Sequence, residues 1–124
     1  MMNNLNVLLL DDEQTIHDYV THYLKDLYVV YSAKTYEEAE KLIKEKGVDF
    51  FKVFICDLYL AEERSGLEFI LENLDGCKTI VTSGYLAPEV MDELIDNGIF
   101  AAMQKPIDMD TLLLSMNSII RCKA

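Results

Sequence analysis

The sequence predicts an α/β domain: a parallel five-stranded sheet with helices on both faces. Three observations lead there. Short apolar runs alternate five times with stretches of helical period, strand before helix each time. The runs are apolar at consecutive positions, as in strands covered on both faces. Acidic, hydroxyl and basic residues recur just after the predicted strands, at the edge where such sheets bind ligands. Strand–helix alternation also implies right-handed crossovers.

The elements follow in order. Val7–Leu10 is the first strand, and Ile16, Tyr19, Val20, Tyr23 and Leu24 form the apolar stripe of the first helix. Tyr28–Tyr31 is β-branched and aromatic, hence a second strand. Thr35 and Glu38 have the spacing of a capping box opening a helix over Tyr36, Ala39, Leu42 and Ile43, which Gly47 ends. A third strand runs from Phe51 to Cys56. Gly66 precedes a stripe of Leu67, Ile70, Leu71 and Leu74. Thr79–Val81 is a fourth strand. Pro88 suits a first helical turn, and that helix ends at Asn97-Gly98 with a sparse pattern of Val90, Leu94 and Ile95. Ile99–Met103 is the fifth strand. Asp108 caps a last helix carrying Leu112, Leu113, Met116, Ile119 and Ile120, which ends at residues 121–124.

Composition narrows the function. The 124 residues, half of them apolar, suit one domain over 1–124 with its own core. A net charge of -11 disfavours direct nucleic-acid binding and favours cations and basic protein partners. The three cysteines, Cys56, Cys77 and Cys122, form no metal or disulfide pattern and fit a reduced, cytoplasmic setting. Leu5–Leu10 is too short to span a membrane and lacks a basic leader.

The strand ends carry the chemistry. Asp11 and Asp12 follow the first strand, Asp57 the third, Thr82 and Ser83 the fourth, Lys105 and Pro106 the fifth. Converging carboxylates are relieved by a shifted pKa or a bound cation. All-oxygen ligands suit Mg²⁺, which would draw in a phosphoryl donor. An aspartate can then serve as nucleophile and form an acyl phosphate. Lys105 supplies a point charge for a phosphoryl oxygen, and Ser83 a hydroxyl donor. Taken singly, each residue reads as a helix cap, a turn or a loop; their joint occurrence in order is the signal.

The segments Leu8–Glu13, Phe54–Leu58, Gly66–Phe69, Ile80–Tyr85 and Gln104–Ile107 together make the chain resemble a response-regulator receiver domain of two-component signalling. The resemblance implies a flavodoxin-like (βα)5 three-layer sandwich with sheet order 2-1-3-4-5. It implies phosphorylation of Asp57 by a histidine kinase or phosphotransfer protein. Mg²⁺ would be held by Asp11, or Asp12 through water, with Asp57 and the backbone carbonyl of Tyr59. Lys105 would pair with the phosphoryl group. Ser83 would be the switch hydroxyl, since Gly84 after it fits the small residue the family places there; Thr82 fits less well. No output domain is expected after the last helix, so output would be a phosphorylation-dependent contact with a downstream protein or a detached output domain.

Several residues depart from the family pattern. Ala102 stands where an aromatic residue usually swings inward, and Phe100 lies two residues away. Ala61 replaces a usual proline, and the loop to Gly66 is one residue longer and carries Glu62-Glu63, either as a solvated loop or with an effect at the metal edge. Tyr59 and Tyr85 flank the expected route of a hydrolytic water. His17 and His22 read as surface residues. Two other functions fit less well. A Mg²⁺-dependent aspartyl-phosphate phosphatase needs a second acid where Tyr59 stands, and a degenerate receiver acting as a scaffold has no reason to keep all five site residues.

Overall fold

In the computed structural model, which describes residues 5–122, five strands and five helices alternate. They are β1 (Asn6–Leu10), α1 (Gln14–Leu24), β2 (Val29–Ala33), α2 (Tyr36–Lys46), β3 (Val53–Asp57), α3 (Gly66–Asn73), β4 (Thr79–Ser83), α4 (Pro88–Asp96), β5 (Ala101–Gln104) and α5 (Met109–Arg121). All neighbouring strands are parallel, in the order β2-β1-β3-β4-β5. This is the flavodoxin-like order that the resemblance implies. Residues 1–4 at the expected start of the domain, and Lys123 and Ala124 at the expected end of the last helix, lie outside the described residues.

The continuous apolar runs divide between two cores because neighbouring strand residues point to opposite faces. Leu8, Leu10, Phe54, Cys56 and Val81 meet Tyr36, Ala39, Phe69, Ile70 and Leu94 from α2, α3 and α4. Val7, Leu9, Val53, Ile55 and Ile80 meet Val20 and Leu24 of α1 and Leu112, Met116 and Ile119 of α5. Each fully buried Leu or Ile stabilises the fold by about 2 kcal/mol, so a slip of one residue in any central strand would exchange the two sets.

Local signals act as their chemistry requires, with shifts. The Thr35 hydroxyl accepts the Glu38 N–H at 3.1 Å, but the Glu38 carboxylate takes the Lys34 N–H at 2.8 Å instead of closing the box on Thr35. Asp108 caps α5 through the Asp110 N–H and the Thr111 hydroxyl. Gly47 ends α2 with φ of 92°, a left-handed conformation open to glycine. Strand β2 begins at Val29, not Tyr28, and β5 at Ala101, not Ile99. Phe51 is fully buried ahead of β3, where the exposed Lys52 separates it from the strand.

Two helical stripes need correction. In α1 the buried residues are His17, Val20 and Leu24, while Tyr19 and Tyr23 are exposed. His17 is therefore a core residue, not a surface one. It sits three residues before Val20 on the buried face, and its Nε2–H donates to the Asp11 carbonyl at 2.6 Å, which satisfies a polar group there. His22 is on the surface, edge-on to Tyr23. In α3, Phe69 and Ile70 are buried and Leu71 is exposed, since the large Phe69 ring packs on Tyr36 with centroids 4.7 Å apart.

Candidate functional site

The strand order places the site. After β2 the chain returns past β1 to lay down β3, so β1 and β3 are adjacent and their following loops diverge. Asp11 leaves β1 there, and Asp57 is the last residue of β3. Ladder pairing sets Asp57 beside Thr82, and Ser83 beside Gln104, which brings Lys105 to the same edge. The Lys105 N–H donates to the Ser83 carbonyl at 2.7 Å, and the Leu58 N–H to the Thr82 carbonyl at 2.8 Å.

One carboxylate oxygen from each of Asp11, Asp12 and Asp57 lies within 4.8 Å of the other two. Asp11 and Asp57 are buried and Asp12 is exposed. The Asp11 Oδ1 accepts the Glu13 N–H at 2.9 Å, and the Asp57 Oδ1 accepts the Tyr59 N–H at 3.2 Å. Asp12 Oδ2 accepts the Ala61 N–H at 3.2 Å. The ammonium of Lys105 hydrogen-bonds to Asp57 Oδ2 at 3.1 Å and lies 2.9 Å from Asp11 Oδ2 as a charge contact. Asp11 Oδ2 is otherwise buried without a hydrogen-bond donor. Hard oxygen donors gathered this closely, one of them lacking a donor, fit a small divalent cation such as Mg²⁺. A cleft of about 360 Å³ opens beside them, bordered by Asp12, Asp57, Tyr59, Ala61, Gly84 and Lys105.

Burial pushes the Asp57 carboxyl above the usual aspartate range; Lys105 and the Tyr59 N–H pull against this, and Asp11 adds to it. For Lys105 burial acts downward, yet the two carboxylates hold its ammonium above the ordinary lysine value. One lysine thus offsets the charge of two buried acids, and a third acid stands at the rim.

The remaining expected residues take definite places. Ser83 is buried at the edge, but its hydroxyl donates to the Tyr85 carbonyl at 2.9 Å and faces its own turn. Thr82 is also buried. A Cβ on Gly84 would meet nothing within 4 Å beyond its chain neighbours, and Gly84 borders the cleft. Tyr59 and Tyr85 stand largely in solvent. Ala102 is half-buried against the α2–α3–α4 core, and Phe100 is exposed outside β5. The loop from Ala61 to Ser65 is exposed, as a solvated loop would be, yet it is tied down: Glu62 accepts the Tyr36 N–H, and Arg64 pairs with Glu40.

Two supports of the site escape a reading by residue type. His17 holds the Asp11 carbonyl, and the signal for it was its spacing from Val20 and Leu24. The Ala61 N–H is a backbone group whose role no side chain announces. Among the described residues, no helix is long and apolar enough to cross a membrane.

The response regulator receiver domain family matches residues 7–117. An NtrX-like response regulator of Rickettsia typhi is 31% identical over 118 residues, covering 91% of this chain and 24% of its own length. The transcriptional regulatory protein ComA of Bacillus subtilis is 27% identical over 103 residues, covering 80% of this chain and 48% of its own. The chain thus spans less than half the length of these relatives. The beryllofluoride-activated NtrC4 receiver domain superposes with a TM-score of 0.80 at 30% identity, over 93% of this chain and 95% of that one. With a match across nearly the whole chain, and the strand order and acidic edge described above, this chain belongs to the response regulator receiver domain family of two-component signalling.

Proposed function

We propose that this chain is a single receiver domain that accepts a phosphoryl group on Asp57 from a histidine kinase or phosphotransfer protein, in a reaction that needs Mg²⁺. The observation that carries the reading is the placing of Asp57 at the strand switch, with two further carboxylates within 4.8 Å and the Lys105 ammonium at 3.1 Å. Asp11, Asp12 and Asp57 would hold the ion, with the Tyr59 carbonyl. Bound there, Mg²⁺ would supply positive charge to spread that of the transferring group.

The chain's own residues do the rest. The Asp57 carboxylate attacks phosphorus, a P–N bond to the donor histidine breaks, and the electron pair returns to the imidazole. Lys105 moves from the carboxylate to a phosphoryl oxygen, so the new charge meets an ammonium already in place. Ser83 exchanges its bond to the Tyr85 carbonyl for a phosphoryl oxygen, which loosens the turn before α4. With Ala102 in place of a large ring, the change leaves the site through loops and backbone toward a protein target, not directly to nucleic acid. The domain then catalyses only its own phosphorylation and dephosphorylation and is not an enzyme acting on small esters.

The reading is tested by incubating the protein with acetyl phosphate, with and without Mg²⁺, and measuring intact mass. A gain of one phosphoryl group only when Mg²⁺ is present is the expected result. No gain in either case would favour a phosphorylation-independent binding scaffold.

A further inference from the structure

We infer that Glu62 and Arg64, neither of which reaches the acidic cluster, are positioning residues that set Asp12 for the divalent cation by clamping the β3–α3 loop against α2 and α3. The inference rests on the proposed Mg²⁺ site and adds to it the part of the fold that holds its outermost ligand.

Asp12 is the exposed member of the cluster, so packing does not fix its carboxylate. The Ala61 N–H does, at 3.2 Å, and leaves the second oxygen free. That N–H is useful only while the loop stays in place. Residues 61–65 are all exposed, so burial does not hold them; only Leu58 and Leu60 at the loop's root are buried. A tight turn, with the Glu62 N–H on the Leu60 carbonyl at 2.7 Å, presents Ala61 at its apex.

Two side chains then anchor the far half. Glu62 Oε2 accepts the N–H of Tyr36, the first residue of α2, at 3.1 Å. This is one of the donors that a helix start leaves without an internal partner, and the helix dipole favours an anion there. Arg64 reaches Glu40 of α2 at 3.2 Å, and its guanidinium lies 5.4 Å from the Tyr36 ring centroid and 5.3 Å from that of Phe69 in α3. An exposed ion pair alone would add little. Stacking on two rings, together with the Glu62 contact, makes a three-point hold spanning two helices. The extra acidic residues of this loop are therefore not simply solvated: one of them is a structural anion.

Coupling of this kind is reciprocal. A loop that presents Asp12 to the ion must itself be steadied when the ion binds. The test compares Mg²⁺ affinity, by titration calorimetry, between wild type and Glu62→Ala/Arg64→Met. The double substitution leaves net charge unchanged, so long-range attraction of the cation is not altered. Weakening of roughly fivefold to tenfold is expected, with thermal stability nearly unchanged because both side chains are exposed. Hydrogen exchange of amides 60–65 in wild type should also slow on adding Mg²⁺. Equal affinities of wild type and variant, or exchange indifferent to Mg²⁺, would overturn the clamp while leaving the metal site standing. A wild type that fails to bind Mg²⁺ would overturn the reading beneath it.

Discussion

Replacing Lys105 with methionine is expected to destabilise the protein strongly at neutral pH and only mildly in acid. Among the described residues, this ammonium is the cation that touches the two buried carboxylates, at 2.9 Å from Asp11 and 3.1 Å from Asp57. Removing it leaves two negative charges close together in a poorly solvated site, a cost of about 2–3 kcal/mol. The pH dependence follows from the direction of the Asp57 shift. Burial already raises its carboxyl above the ordinary aspartate value of 3.8, so the folded state binds more protons than the unfolded one just above that pH. The contribution of Asp57 to wild-type stability therefore falls as pH rises through its folded pKa, and is flat beyond it. Without Lys105 the folded pKa rises further, so the fall is deeper and extends to higher pH. Urea denaturation across the acid-to-neutral range should show a gap between Lys105→Met and wild type that widens from pH 4 to pH 7. Lys105 itself is raised above 10.5, so its contribution is complete throughout that range and is lost only in alkali. A gap independent of pH would mean that the ammonium does not act on Asp57.

The second large effect is steric. A Cβ on Gly66 would stand 3.0 Å from the carbonyl carbon of Leu58 and 3.2 Å from its Cα, and closer still to its oxygen. Leu58 cannot yield easily. Its N–H is bonded to the Thr82 carbonyl, its side chain is buried, and it directly follows Asp57. Gly66→Ala should therefore cost about 2–4 kcal/mol, lowering the melting temperature by roughly 10 °C, and should slow phosphorylation by acetyl phosphate through displacement of Asp57. Gly84→Ala is the matched control, since its Cβ meets open space. Equal melting temperatures for the two variants would contradict this account of Gly66.

The architecture was legible because each strand centred on a short apolar run, broken only by Lys52 ahead of β3 and by Thr79 at the start of β4, and every helix but α4 had a stripe. Strand ends then located Asp11, Asp57, Ser83 and Lys105 at one edge without any distance being known. The boundaries moved where composition was indifferent to pairing: Ala33, Ser83 and Gln104 carry no strong strand preference, yet the ladder includes them. His17 was missed because a histidine in a helix reads as polar, although its spacing puts it on the buried face with Val20 and Leu24, where its ring meets the Asp11 carbonyl. Phe69 was passed over for Leu71 because a helical stripe can be drawn one position off until a facing ring, here Tyr36, fixes the rotation. The hold of Glu62 on α2 spans 26 residues of chain, and no local pattern encodes such a contact. What the strand ends could not show was the present state of the hydroxyl and the ammonium: Ser83 faces its own turn, and Lys105 is shared between two acids.

The central claim is that Asp57, and no other acid of the cluster, receives the phosphoryl group. Intact-mass measurement of Asp57→Asn beside wild type, both treated with acetyl phosphate and Mg²⁺, tests it most directly. The substitution keeps the side chain's size and its acceptor oxygen for Tyr59 while removing the nucleophilic carboxylate. Wild type should gain one phosphoryl mass and Asp57→Asn none; an equal gain in the variant would place the phosphoryl group elsewhere and contradict the account.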